Sequence, residues 1–210
     1  MNFKDRAEAG KKLAAILNKF KKDPNAIVLG LPRGGIITAQ AVAYNLELPL
    51  DILAIRKIGS PGNEEFAIGA IAPDGQTFIN KEIIESFNIT PDYIETTKNK
   101  ELVEANRRQK LYRLGKKDLD LKNKTVLLID DGVATGATMR AAILSSEAQG
   151  AEKIVVATPV IAKDTLQIIS NLADEIYYLE SPLLFDAVGS FYKDFKQTTD
   201  EEVVSIMSRS

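Results

Sequence analysis

The sequence predicts an α/β fold: a mostly parallel twisted sheet flanked by helices, with an inserted helical arm and a small hood. Three observations carry this expectation. Apolar runs of strand length alternate with stretches of helical period along most of the 210 residues. Some of those runs, Ile27 to Leu31 and Val126 to Ile129 among them, are apolar throughout, as in strands covered on both faces. Two of them pass through glycine-containing turns into helices, the construction found at the carboxyl edge of a parallel sheet.

Taken in order, Phe3, Ala7, Gly10, Leu13, Ile16, Leu17 and Phe20 fall on one helical stripe that ends at Asp23-Pro24. The strand from Ile27 to Leu31 turns through Pro32-Arg33-Gly34-Gly35 into a helix running to about Leu46. Leu50 to Arg56 is the next strand. Residues 57–65 contain Gly59, Ser60, Pro61 and Gly62 and read as a mobile loop. Ala67 to Ala72 and Gln76 to Asn80 make a hairpin around Pro73-Asp74-Gly75. Residues 81–124 are helical and heavily charged, with a start at Thr90-Pro91 and a stop at Gly115. That stretch is longer than a crossover needs, so an inserted arm is expected. A strand at Val126 to Ile129 and a helix from Ala137 follow. Then come a strand over Lys153 to Val160, a helix from about Asp164 to Asn171 and a strand at Glu175 to Leu179. Thr199-Asp200-Glu201-Glu202 is a capping box that opens a last short helix, within a C-terminal hood of about residues 180–210. The whole of 1–210 reads as a single domain.

Composition narrows the chemistry. Hydrophobic residues make up 45% of the chain, enough for one sizeable core. The 27 basic and 29 acidic residues leave a net charge of −2, so no nucleic-acid partner is expected. The absence of cysteine and histidine excludes thiol nucleophiles, zinc-thiolate sites, Ser-His-Asp catalysis and imidazole metal centres. Any metal is expected to be a hard cation held through oxygen, as Mg2+ is when it rides on a polyphosphate. No segment has the length of a membrane span or a signal-peptide core. A cytoplasmic location with no membrane contact follows as an expectation.

Residues 125–138 carry most of the functional information. An apolar strand ends in Asp130-Asp131, and Gly132 to Gly136 turn into a helix at Ala137. Free backbone N–H groups from Ala134 to Thr138, the hydroxyls of Thr135 and Thr138 and the positive end of a helix make a cradle for a phosphate monoester. Two adjacent carboxylates can accept hydrogen bonds from a vicinal diol, since an ionised carboxylate is acceptor only. A pentose 5-phosphate satisfies both halves. The Gly-Lys-Ser/Thr of a Walker loop is absent. At the other turn, Gly34 and Gly35 let the backbone approach an anion, and Arg33 can fork two phosphate oxygens. Arg56 and Lys57, at a strand end, could neutralise a leaving anion, although Lys57 would serve equally as a solvated loop lysine.

The order of hydrophobic strand, Asp130-Asp131-Gly132, Ala134-Thr135-Gly136 and Thr138 resembles the phosphoribosyl-pyrophosphate motif of the type I phosphoribosyltransferases. The likeness extends to a group of such proteins with unassigned acceptor, from Asp5-Arg6-Ala7-Glu8-Ala9-Gly10 to the tail Phe185 to Phe195. The resemblance implies transfer of phosphoribose from 5-phosphoribosyl 1-pyrophosphate (PRPP) to a nucleophile, with release of pyrophosphate. Asp130 and Asp131 would hold the 2′ and 3′ hydroxyls. Thr135, Gly136, Ala137 and Thr138 would anchor the 5′-phosphate, with Ala134 in the same cradle, Val133 would also touch substrate, and Arg33, Gly34 and Gly35 would hold the pyrophosphate. A loop carrying Arg56 and Lys57 would close over the reaction, and Phe185, with Tyr192 near it, would stack on the acceptor unless both are core residues. Mg2+ would arrive on PRPP and water near Asp130 and Asp131, with no direct protein ligand assigned. The family habit implies a homodimer.

Two departures from the hypoxanthine-guanine enzymes matter. Their purine-facing aspartate is replaced by Ala134, and their 6-oxo-reading lysine by Val156 ahead of Thr158-Pro159. A 6-oxopurine acceptor is therefore not expected, and an orotate-like, uracil-like or non-nucleobase acceptor is. The alternative is a regulator that senses PRPP without catalysis. For that reading, Arg107, Arg108, Lys110, Arg113, Lys116 and Lys117 would be an RNA-binding face; with Glu101 and Glu104 beside them they read as a solvated one.

Overall fold

The computed structural model describes residues 2–209, with Glu65 described by its backbone alone. Five parallel strands form the main sheet: β1 (Ala26–Gly30), β2 (Leu50–Ile52), β6 (Thr125–Ile129), β7 (Lys153–Val160) and β8 (Glu175–Glu180), in the order β2-β1-β6-β7-β8. A second sheet is antiparallel: β3 (Arg56–Ser60), β4 (Asn63–Ile71) and β5 (Thr77–Ile79). The central strands β1, β6 and β7 are buried on both faces because helices cover both, whereas the edge strand β8 is only partly buried. One core, with Leu13, Val28, Val42, Leu127 and Val155, lies under α1 (Arg6–Ile16) and α2 (Gly35–Leu46). The other, with Leu29, Leu128, Met139, Ile143 and Val156, lies under α5 (Ala137–Ala148) and α6 (Lys163–Ser170).

Strand order reverses between β1 and β6, and this switch point places the site. Gly30 and Ile129, the last residues of the two strands, are register partners. The turns that follow them therefore open side by side.

The segment at 81–124 is helical in its first two thirds, as α3 (Lys81–Ser86) and α4 (Pro91–Tyr112). Asn80 caps α3 through Ile83 N–H; Thr90 caps α4 through Tyr93 N–H, with Pro91 in the first turn, where its missing N–H costs nothing. Gly115, at φ +78°, turns the chain three residues after α4 ends. This arm has an apolar centre of its own, Ile58, Ile68, Ile71 and Ile89, shared with the second sheet. The last helix, α7 (Asp200–Met207), opens with the capping box at Thr199 and Glu202. Among the described residues no helix is long and apolar enough to cross a membrane.

Three sequence expectations need correction. Residues 57–65 are not a loose loop: β3 and β4 pair through them, with Pro61-Gly62 at the turn and Gly62 at φ +76°. Proline followed by a positive-φ glycine is what a tight turn requires, so the same residues that suggest looseness build a hairpin. The strand expected over Leu50 to Arg56 stops at Ile52, and Arg56 already belongs to the second sheet. The buried face of α1 is rotated from the expected stripe: Arg6, Ala9, Gly10, Leu13 and Ala14 are covered, while Ala7 and Ile16 are exposed.

Candidate active site

Both turns at the switch point face a cavity of about 730 Å³. Its floor is Asp130 to Met139, one wall is Pro32 to Gly34, and β3, β4 and α4 close the far side with Arg56, Lys57, Phe66, Tyr93, Lys100 and Glu101. Most residues singled out from the sequence meet here.

The turn before α5 leaves its amides open to the cavity. Gly136 caps α5 in the left-handed region, at φ +76°, and a side chain there would also press on Thr165. Among the described residues the N–H groups of Ala134 to Thr138 donate to no protein acceptor, leaving five donors at a helix N-terminus. The hydroxyl of Thr165, from α6, donates to the carbonyl of Ala134 and holds the loop in place. Nothing in the sequence singled out Thr165. Val133 lines the cavity without a free polar group. Its N–H donates to Val160, its carbonyl accepts from Ala162 and its side chain is buried, so its polar groups are already committed.

The two carboxylates occupy different settings. Asp130 faces the cavity with part of its surface open. Enclosure by protein pushes its carboxyl well above the usual carboxylate range, and the charge of Asp131 pushes the same way, against the hydrogen bond it accepts from Asp131 N–H. Asp131 is buried, and its Oδ2 lies 2.6 Å from Arg6 Nε. Arg6, absent from the expected site, is itself buried, with its guanidinium 3.8 Å over the ring of Phe195. A signal for it existed: Arg6 stands four, seven and eleven residues before Gly10, Leu13 and Leu17, on the buried face of the helix.

In the second turn the N–H groups of Arg33, Gly34 and Gly35 donate to no protein acceptor among the described residues. The Pro32-Arg33 peptide is cis. The Arg33 side chain is partly exposed, its Nη1 3.7 Å from Asp200 Oδ1. Lys57 is exposed and lines the cavity. Arg56, by contrast, is spent on Glu101 at 2.8 Å, which ties β3 to α4. Phe185 does not line the cavity: its ring packs on Phe191 at 5.3 Å, and Phe195 lines the wall instead. Three arginines of the basic cluster on and just after α4 are likewise committed. Arg107 and Arg108 donate to Glu104, whose carboxyl those hydrogen bonds, Arg107's foremost, hold near pKa about 2, and Arg113 forks Asp51.

A doubly wound sheet with a free-amide turn at a helix start and an acidic pair at its switch point has the architecture of the type I phosphoribosyltransferases. This chain belongs to the phosphoribosyl transferase domain family, whose model matches residues 2–178. Over 208 residues, 99% of this chain, it is 39% identical to Rv0571c of Mycobacterium tuberculosis H37Rv and to MT0597 of strain CDC 1551, both of which carry provisional phosphoribosyl transferase names. The match takes in 47% of each, so the chain spans about half the length of these curated relatives. The crystal structure of TT1426 from Thermus thermophilus is 36% identical and superposes with a TM-score of 0.82, covering 100% of this chain and 99% of that one. AQ2163 of Aquifex aeolicus shares the fold, with a TM-score of 0.52 at 13% identity over 88% of this chain and 78% of its own.

Proposed function

We propose that the chain transfers phosphoribose from PRPP to an acceptor nucleophile and releases pyrophosphate. One observation carries the reading: the level register of β1 and β6 brings five free N–H groups, an acidic pair and a second free-amide turn onto one cavity.

The 5′-phosphate sits on the amides of Ala134 to Thr138 and the hydroxyls of Thr135 and Thr138. Asp130 and Asp131 accept from the ribose diol and favour positive charge developing at the anomeric carbon. Pyrophosphate lies against the amides of Arg33, Gly34 and Gly35, and Lys57 faces its departing charge. Among the described residues no group of three or more histidine, cysteine, aspartate or glutamate side chains is placed to hold a metal, and the oxygen donors nearest the proposed pyrophosphate are Asp130 and Asp131. That donor set fits Mg2+ carried by pyrophosphate oxygens and water, with Asp130 and Asp131 facing it across water. The cation would supply charge neutralisation to the leaving group. Most of the rate comes from holding the reactants in place and from fixed charge.

An acceptor other than a 6-oxopurine is part of this proposal. Ala134 lines the cavity without a polar side chain and Val156 is fully buried, so neither offers a base-reading group. A homodimer belongs to the same proposal, to be read by sedimentation.

The test is calorimetric titration with PRPP, with and without Mg2+, followed by pyrophosphate release across a panel of acceptors. Magnesium-dependent binding with release on one acceptor supports transfer. Binding with release on none moves the weight to a sensor, and no binding overturns the site.

A further inference from the structure

The family match ends at residue 178, yet the chain beyond it returns to the site. Phe3 and Tyr192 pair as a parallel bridge, flanked by hydrogen bonds from Phe3 N–H to Phe191, Lys193 N–H to Phe3 and Asp194 N–H to Lys4. This clasp brings two groups over the start of α1. The Lys196 carbonyl accepts from Arg6 Nη1 at 2.7 Å, and the Phe195 ring has its centroid 3.8 Å from the guanidinium carbon. The hydroxyl of Tyr192 donates to the Asp131 carbonyl. The tail therefore reaches Asp131 twice, through its backbone and through Arg6.

A buried arginine needs its charge answered and its planar donors satisfied. Asp131 and the adjacent tail residues Phe195 and Lys196 answer it from two distant parts of the chain. The arrangement also divides Asp131: Oδ2 is taken by Arg6, and beyond that pair the carboxylate interacts, among the described residues, only with the side chain of Asp130, which faces the same cavity.

We propose that Arg6 is a positioning residue for the ribose diol: it fixes one oxygen of Asp131 so that the other accepts from a ring hydroxyl, and it makes that placement depend on Phe195 and Lys196 of the tail. This rests on the phosphoribosyl transfer reading above. A structural ion pair alone would weaken every ligand of the cavity alike. A positioning role weakens only the ligand that carries the diol.

Calorimetry with ribose 5-phosphate and with an analogue lacking both ring hydroxyls separates the two. Wild-type protein should prefer the diol. Arg6→Gln should reduce that preference about tenfold, the worth of a hydrogen bond to a charged group, and leave the analogue's affinity within about twofold. Arg6→Lys, which keeps the charge without the fork, should recover part of the preference, and Phe195→Leu should fall between wild type and Arg6→Gln. Unchanged preference in Arg6→Gln, or equal loss of both ligands, overturns the proposal. Should Arg6→Gln fail to fold, unchanged preference in both Arg6→Lys and Phe195→Leu does so instead. Wild-type protein that binds neither ligand overturns the phosphoribosyl reading and this inference with it; a wild-type diol preference that survives in the variants overturns this inference alone.

Discussion

Gly34 packs its Cα directly against the carboxylate of Asp131: a Cβ there would collide with Oδ2 and lie 2.8 Å from both Nε and Nη2 of Arg6. Gly35 stands likewise to Asp130, where a Cβ would lie 2.7 Å from Oδ1. Gly34 has φ −61°, a value open to any residue, so proximity and not backbone freedom demands glycine. The two turns interlock, each glycine of one facing a carboxylate of the other. Free amides thereby stand beside fixed negative charge, an arrangement suited to a ligand with phosphates at one end and hydroxyls at the other.

Gly34→Ala should consequently displace Asp131, because Arg6 prevents the carboxylate from swinging aside. Overpacking of this kind costs about 1–3 kcal/mol, to be read from denaturant midpoints. PRPP affinity should fall with it by about tenfold or more, the worth of a hydrogen bond to a charged group. An alanine variant with wild-type affinity would show that the two turns are not mechanically joined.

Asp130 gives a prediction with opposite signs for stability and binding. The folded protein holds its proton more tightly than the unfolded chain does, so this group's contribution is fully present below the unfolded carboxylate range. As pH climbs through the raised folded value, that contribution is lost. Asp130→Asn, which mimics the protonated form, should melt above wild type at neutral pH, with the difference shrinking in acid. The same variant should bind PRPP at least about tenfold more weakly, since the amide accepts less strongly than the carboxylate. Thermal melts across pH, paired with calorimetry, test both halves.

Arg56 and Lys57 are neighbours with separable expected effects. Arg56→Ala leaves Glu101 buried without its partner, and should cost about 2 kcal/mol, below the range for fully buried pairs because Arg56 is partly exposed. Lys57→Ala should leave melting and PRPP affinity nearly unchanged while slowing turnover. A Lys57→Ala enzyme with wild-type turnover would make Lys57 a spectator.

Much of this was legible in the sequence where local chemistry decides it. The strand, acidic pair and helix start around Asp130, the Thr90-Pro91 helix start and the Thr199 capping box are each written within a few residues. The hairpin was not, because Pro61 and Gly62 suit a tight turn as well as a free loop. The choice lies in cross-strand pairs such as Arg56 with Ile71, fifteen residues apart. Phe185 and Phe195 show the same limit: both are tail aromatics, and the clasp between Phe3 and Tyr192 decides which one faces the cavity. Arg6 and Asp131 are 125 positions apart, a distance over which no periodicity carries information.

Asp200 connects the tail to the other turn. It accepts from the buried hydroxyl of Tyr112 at 2.6 Å and lies 3.7 Å from Arg33 Nη1 and 3.8 Å from Arg107 Nη2. Burial first, and then the hydrogen bond to Asp200, push the Tyr112 hydroxyl well above the ordinary tyrosine range, so it remains a donor to Asp200 through neutral pH. Tyr112→Phe and Asp200→Asn should each lower stability by about 1–2 kcal/mol, and the double variant by much less than their sum. Binding should respond in the other direction. Asp200 competes with pyrophosphate for Arg33, so Asp200→Asn should tighten pyrophosphate about two- to threefold, an effect shrinking with added salt because Arg33 is partly exposed. Tyr112→Phe leaves the carboxylate in place and should not tighten it. If both variants change pyrophosphate affinity equally, Arg33 is governed by the packing of α7 and not by the charge at its first residue.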